Sequence, residues 1–425
     1  MTTMVRILLV ALFLPVCVAR GPATRAGAAE KVFRAGAASV DITPTEFPVV
    51  VSGGFLERTA GGVQDPLHAR AVVLDDGTTR LAIVVVDTLL MSQDLVNEAK
   101  RKAEEATGIR TDHILVGATH THSAPSVVGA LGTGIDEPYT RLLPGFIARS
   151  IEAAAENLAP AEVGWTVVDA PDHTNCRRWI LRPDRMGTDP FGGRTVRAMM
   201  HPGYQNPSYV GPSGPDDPGL TLLALRSPGG QPIVVLANYS MHYYGAGPVS
   251  ADYFGRFCDE MAKRIAAERS DPPPVAIMSQ GTSGDLHWMD YSQPARPRSI
   301  DKYAQEMAEI AYGAYQGIEY HEWVPLAMAE TMITLDRRTP DEKRLAWARE
   351  LVGEMKGRAP KSLAEIYARE QLWLVDHPVR PVKLQALRVG DLGLTAVSTE
   401  VFAISSLKLK AQSPLPVTMN IELAN

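Results

Sequence analysis

The sequence predicts an α/β fold with its functional site at the carboxyl ends of buried strands. Three observations predict it. Five short, nearly continuous apolar runs rich in β-branched residues read as strands covered on both faces: Leu81–Val86, His113–Val116, Pro232–Leu236, Val275–Met278 and Leu394–Val397. Segments with helical spacing lie between several of them. Almost every run ends in polar residues able to do chemistry, and in open α/β sheets ligands bind outside the carboxyl ends of strands.

Taken in order, the chain opens with a segment that is not fold. Arg6 supplies a short basic region, and Ile7–Ala19 is a 13-residue apolar run, too short for a bilayer, which needs about 20 residues. Ala26-Gly27-Ala28 offers a small-residue cleavage site, so residues 1–29 read as a secretory signal peptide and the mature protein as exported, periplasmic or extracellular. Next come a helix over Ser92–Thr107, with Ser92 as N-cap and Gly108 as stop, and a second over Tyr139–Leu158. Residues 171–219, dense in Pro, Gly, Asp and Arg, read as a long structured insertion at the active site. Further helices are expected over Phe254–Glu268 and Asp301–Tyr315, with a pair across Pro340–Glu370 broken near Gly357–Pro360. Val417–Leu423 reads as a last strand. The expectation is one domain from residue 30 to 425.

Composition narrows the function. The chain has 425 residues, 45% hydrophobic and 21% charged, enough to bury a core. Its 42 basic and 48 acidic residues give a net charge of −6, or −9 without the leader, against nucleic-acid binding. No later apolar run is long enough for a membrane helix. Three cysteines cannot build a disulfide scaffold; Cys176 and Cys258, outside the leader, could pair in an oxidising compartment.

The strand-end residues carry the chemistry. Leu81–Val86 ends at Asp87; His113–Val116 leads into His120-Thr121-His122-Ser123; Pro232–Leu236 leads to Asn238 and His242. Val275–Met278 leads into Gln280 to His287, and Leu394–Val397 into Ser398-Thr399-Glu400. His120 and His122, two apart, face one side of an extended segment, although alone they fit one structural and one exposed histidine better than a metal pair. With His242 and Glu400 they suggest a metal: His, His and Glu are an open, catalytic type of zinc set with room for a water, whose pKa zinc lowers toward ~7. Gly281-Thr282-Ser283-Gly284-Asp285 misses the GxSxG elbow because Asp285 holds the last place; it reads as a functional loop or as a tight turn needing positive φ at its glycines. Arg177, in the insertion, could hold an anionic or carbonyl oxygen or simply be a solvated surface residue.

These residues resemble a known family. Ala35 to Pro44, reading AGAASVDITP, resembles the opening of the neutral (non-lysosomal) ceramidases, and Ala118 to Pro125, reading ATHTHSAP, looks like that family's ATHTHSGP signature. The resemblance covers about residues 33–425 and implies the catalytic domain of a short bacterial type: stacked mixed β-sheets flanked by helices, without the family's C-terminal immunoglobulin-like domain. It implies a zinc ion (Zn2+) held by His120, His242 and Glu400, with His122 nearby facing substrate and Arg177 on substrate oxygens. The family's tyrosine ligand would follow the strand at Val417–Leu423, beyond Asn425, so the chain is expected to be truncated. His287 stands where ceramidases carry a serine in a GDxSPN segment, which here reads Gly284 to Met289.

The expected function is therefore an exported zinc-dependent hydrolase of an amide bond in a small or lipid-like N-acyl substrate. His122 and Arg177 would stabilise the oxyanion, and Asp285 or His287 would handle protons, with His287 alternatively a further ligand or a packing residue beside Trp288. Two alternatives stand beside it: cleavage of an ester or a phosphoryl or sulfuryl group, and a binding module on a decayed hydrolase scaffold.

Overall fold

Alternation along the strands decides the layering, because successive side chains of a strand point to opposite faces. The computed structural model describes residues 31–266 and 272–425; the expected leader, 1–29, lies outside them. Val32–Asn425 pack as one unit.

The first sheet contains β1 (Arg34–Asp41), β2 (His68–Asp75), β3 (Arg80–Val86) and β4 (Ile114–Ala118), in spatial order β4-β3-β2-β1, with Ala159–Pro160 beyond β1. The β3–β4 pair is parallel and the others antiparallel. On β3, Ala82, Val84 and Val86 turn toward helices α1 (Gln93–Thr107) and α2 (Glu137–Glu156), while Leu81, Ile83 and Val85 turn into a central core. The second sheet has β5 (Glu162–Asp169), β6 (Gly219–Arg226), β7 (Pro232–Tyr239) and β8 (Val275–Gln280), in order β8-β7-β6-β5, edged by Tyr320–His321. Leu223, Leu225, Val234 and Leu236 enter the same central core; Leu222, Ala224, Val235 and Ala237 face α3 (Asp252–Ile265) and α4 (Ile300–Tyr315). The third sheet, in the order β9 (Leu326–Asp336), β10 (Val379–Val389), β11 (Leu392–Val397) and β12 (Val417–Ile421), adds Leu387, Leu394, Met419 and Ile421 to that core. The result is an α/β architecture of stacked mixed sheets flanked by helices, as the sequence predicts.

Helix limits follow the local chemistry. Ser92 accepts a hydrogen bond from the Leu95 amide at the start of α1, and Gly108, at φ 71, ends it in the left-handed conformation. Between β9 and β10 lie α5 (Glu342–Met355) and α6 (Leu363–Asp376), capped by Asp341 and Ser362, with Gly357 at φ 80 in the break. α3 stops at Ile265, short of the expected Glu268; residues 267–271 lie outside the described ones. α7 (Ala403–Gln412) follows β11.

The Pro- and Gly-rich insertion is built from small strands. Asn175–Cys176 pairs with Leu286–His287, and Arg178–Leu181 pairs with both Ala198–Met200 and Tyr209–Pro212. Cys176 and Cys258 are both buried and free rather than bridged. Among the described residues, no helix is long and apolar enough to cross a membrane.

Candidate metal centre

The centre is assembled where β3, β4 and β7 end. Beyond β4 the chain is pinned to the end of β3, as the Thr119 and His120 amides donate to the Val86 and Thr88 carbonyls at 2.9 and 3.0 Å. His120 has φ 70, a left-handed conformation uncommon outside glycine and concentrated at functional sites. Its Nδ1 lies 2.8 Å from the Leu89 carbonyl, and Nδ1 of His122 lies 2.8 Å from the Gly53 carbonyl. A carbonyl only accepts, so each Nδ1 carries the hydrogen and each Nε2 presents a lone pair. His242, in the coil after β7, has Nδ1 at 3.2 Å from both the carbonyl and the hydroxyl of Ser283.

The three Nε2 atoms converge. His120 Nε2 is 3.2 Å from that of His242 and 3.1 Å from that of His122. Facing lone pairs at that distance repel unless a cation lies between them. A tetrahedral zinc with bonds of ~2.0–2.1 Å spaces its ligand nitrogens about 3.3 Å apart, so the residues fit such an ion. Burial and neighbouring charge keep the rings neutral: His120 is lowered to about 4 by burial and by Arg177, and burial holds His122 and His242 well below the usual imidazole value. Neutral rings are the ligating form.

Glu400 stands at the rim, its side chain 36% exposed, with carboxylate oxygens 3.8 Å from His120 Nε2 and 3.7 Å from His242 Nδ1. Burial raises its pKa and Arg177, 3.5 Å away, opposes the rise. Arg177 is itself buried and tied down, donating from Nη2 to the Gly284 carbonyl at 2.9 Å, while its Nε has no hydrogen-bond partner. The structure thus brings His120, His122, His242, Glu400 and Arg177 together. The tightest group that could hold a metal ion is the three imidazoles, His122 included.

The remaining sequence candidates sit further out. Asp285 accepts from the Ala403 amide at 2.9 Å, at the start of α7, and its backbone carbonyl accepts from the Arg177 amide at 2.7 Å. His287 is buried with Nδ1 unpartnered and touches the edge of Tyr243, centroids 5.4 Å apart. Asp87 is committed to a buried pair with Arg70 at 2.8 Å, and Asn238 donates to Ser279 and to the Asn420 carbonyl. The glycines of the 281–285 loop do not need positive φ. A Cβ on Gly281 would sit 2.5 Å from Ser240 Oγ, and one on Gly284 would meet the Val401 carbonyl at 3.0 Å, so close approach explains them.

Several residues were not found from sequence. Tyr243 stacks on His122 with centroids 3.7 Å apart; its place directly after His242 was the available signal. His201 donates or accepts at 2.5 Å with the Tyr291 hydroxyl and lies edge-on to His287. Glu422, fully buried just after β12, accepts from the Ser283 amide and hydroxyl at 3.0 and 2.7 Å and from the Val401 amide at 2.7 Å. Burial pushes its carboxyl up to about 8. It anchors the loop behind His242 and the residue after Glu400 in one contact.

Fold and centre together define a class: a stacked-sheet α/β domain with a buried imidazole group at its strand ends. Within that class, the described residues have the fold of solved neutral ceramidases. The neutral ceramidase from Pseudomonas aeruginosa superposes with a TM-score of 0.66, covering 93% of this chain and 68% of that one at 16% identity. A structure described as ceramidase complexed with C2 gives 0.65 over 93% and 69%, also at 16% identity. By sequence, neutral ceramidase of Drosophila pseudoobscura pseudoobscura is 26% identical over 136 residues, which is 31% of this chain and 19% of that protein. No family model matches the chain.

Proposed function

We propose that the protein is an exported zinc-dependent hydrolase that cleaves an amide bond in a lipid-like N-acyl substrate. The observation that carries this reading is the convergence of three Nε2 atoms whose Nδ1 hydrogens are held by backbone carbonyls. The likeness to ceramidases supports the choice of an amide. His120, His122 and His242 would hold the ion, with Glu400 completing the set from the rim. When bound, zinc supplies Lewis acidity and lowers the pKa of a water toward ~7.

The chain's own residues do the rest. Arg177 is fixed by the Gly284 carbonyl and keeps Nε free, so it presents a donor where negative charge develops on the carbonyl oxygen. Glu400, as a donor to the ion, is held in place against Arg177. His287, neutral through burial, can take the proton of the attacking water and return it to the leaving amine; Asp285 holds α7 and the Arg177 backbone in register with it.

Metal analysis of the purified protein tests this against a His120→Ala variant. About one zinc per chain is expected in the parent and none in the variant. Hydrolysis of an N-acyl amide should stop on chelation and return with zinc. Equal metal content in the two proteins would sink the site assignment.

A further inference from the structure

A cavity of about 210 Å³ is lined by Glu400 and shares Leu90, Met91, Arg380, Ser398 and Asn425 with a much larger cavity of about 890 Å³. The two cavities therefore adjoin across this wall, one at the rim of the imidazole centre and the other reaching α6. A pocket for an unadorned acyl chain is expected to be predominantly apolar. The larger one adds to an apolar lining three arginines from three elements: Arg337 after β9, Arg369 on α6 and Arg380 on β10.

The three guanidinium groups are positioned but not neutralised. Arg337 donates to the His377 and Val379 carbonyls at 2.7 and 2.8 Å, and packs 4.5 Å over the Trp373 ring. Arg380 donates to the Ser398 carbonyl at 2.9 Å, and Arg369 to the Leu131 carbonyl at 2.7 Å. Among the described residues, none of the three forms an ion pair with a carboxylate, and each guanidinium has five N–H donors, so several remain for a ligand. Two acids line the same cavity, Glu370 and Asp376; burial raises the pKa of Glu370 and the charge of Arg369 opposes the rise, yet neither acid forms an ion pair with the three arginines. Burial, and after it the charge of Arg337, lower the pKa of Arg380. A planar fork matches an oxyanion with two parallel hydrogen bonds.

We propose that this cavity binds the oxyanion end, phosphate or carboxylate, of an N-acyl substrate whose amide reaches Glu400 and the imidazoles through the shared wall. The assignment rests on the hydrolase reading above. It makes the preferred substrate an anionic amide rather than a neutral one.

Three probes of equal chain length separate the possibilities: N-dodecanoylethanolamine, its O-phosphate, and N-dodecanoylglycine. With the zinc-loaded protein, kcat/KM for at least one anionic probe should exceed that for the neutral probe by about tenfold or more. In an Arg337→Gln, Arg380→Gln double variant that melts like the parent, that ratio should fall to about one; Arg380→Lys should restore it in part. The phosphate and carboxylate arms tell which oxyanion the fork prefers. A parent ratio near one, or a ratio unchanged in the double variant, overturns the proposal. Calorimetric binding of the phosphate probe to chelated protein separates the two readings. Arginine-dependent binding with no turnover of any probe would refute the hydrolase and leave the anion site standing, whereas equal binding to parent and double variant would refute the site.

Discussion

The imidazole centre and the arginine-walled cavity lie side by side but are built differently. In the centre, His120 and His242 are 4% and 2% exposed, and each ring is fixed through Nδ1 by a backbone carbonyl at or near a strand end. In the cavity, Trp373 is 43% exposed, and the cationic groups come from the connection between β9 and β10 and from the start of β10. On the proposed reading, the sheets would supply the fixed geometry that bond cleavage requires, and the β9–β10 region what recognises the rest of a ligand. Change in the first region should cost turnover; change in the second should redirect it.

Three substitutions sharpen that contrast, from the largest effect to the smallest. Arg177→Gln removes the donor aimed at the developing oxyanion, and kcat should fall by about 10²–10³ while zinc content stays at the parent level. Loss of zinc in parallel with activity would make Arg177 a support for the centre instead.

Gly53→Ala comes next. Gly53 has φ 101, and a Cβ there would lie 2.5 Å from Cβ of His122, so the loop must move and its carbonyl must release Nδ1. Such outer partners usually contribute ~10–100-fold in metal affinity. Competition with a zinc chelator should show a loss of that size; unchanged affinity would place His122 outside the donor set.

The smallest effect on turnover, and a large one on stability, is expected at Lys100, far from the chemistry. Its amine is buried without a hydrogen-bond partner beside Lys383, and burial lowers it from 10.5 to about 7. Between those two values the unfolded chain carries a proton that the folded chain lacks, so stability rises with pH across the window. Below about 7 both states are charged and the cost of burying the ammonium is fully present. Lys100→Met should therefore stabilise by roughly 3–5 kcal/mol near pH 6, with the gain fading toward pH 10. Urea melts at the two pH values check this; a gain independent of pH would assign it to packing alone.

Much of the fold was legible because it depends on local pattern. The apolar run Leu81–Val86 reads as a strand buried on both faces whatever lies around it, and Ser92 with Gly108 marks a helix by cap chemistry alone. The HTH spacing and the strand-end positions of His242 and Glu400 exposed the core of the centre for the same reason. Asp87 and Asn238 stood at equally suggestive strand ends, yet the fold spends them on Arg70 and Asn420. Only their partners across the sheets distinguish them from ligands.

By itself, then, the sequence determined the α/β class, the layered strands and the histidines that end up together, since periodicity and motif spacing are properties of neighbours along the chain. The tertiary structure decided the rest. It made Gly53 and Ser283 the supports of His122 and His242, buried Glu422 beneath the loop, brought Tyr243 onto His122, and closed three arginines from separate elements around one cavity. Each of these depends on groups tens to hundreds of residues apart, or on a backbone carbonyl that every residue carries. Residue type alone cannot mark such a group; only its position in the folded chain can.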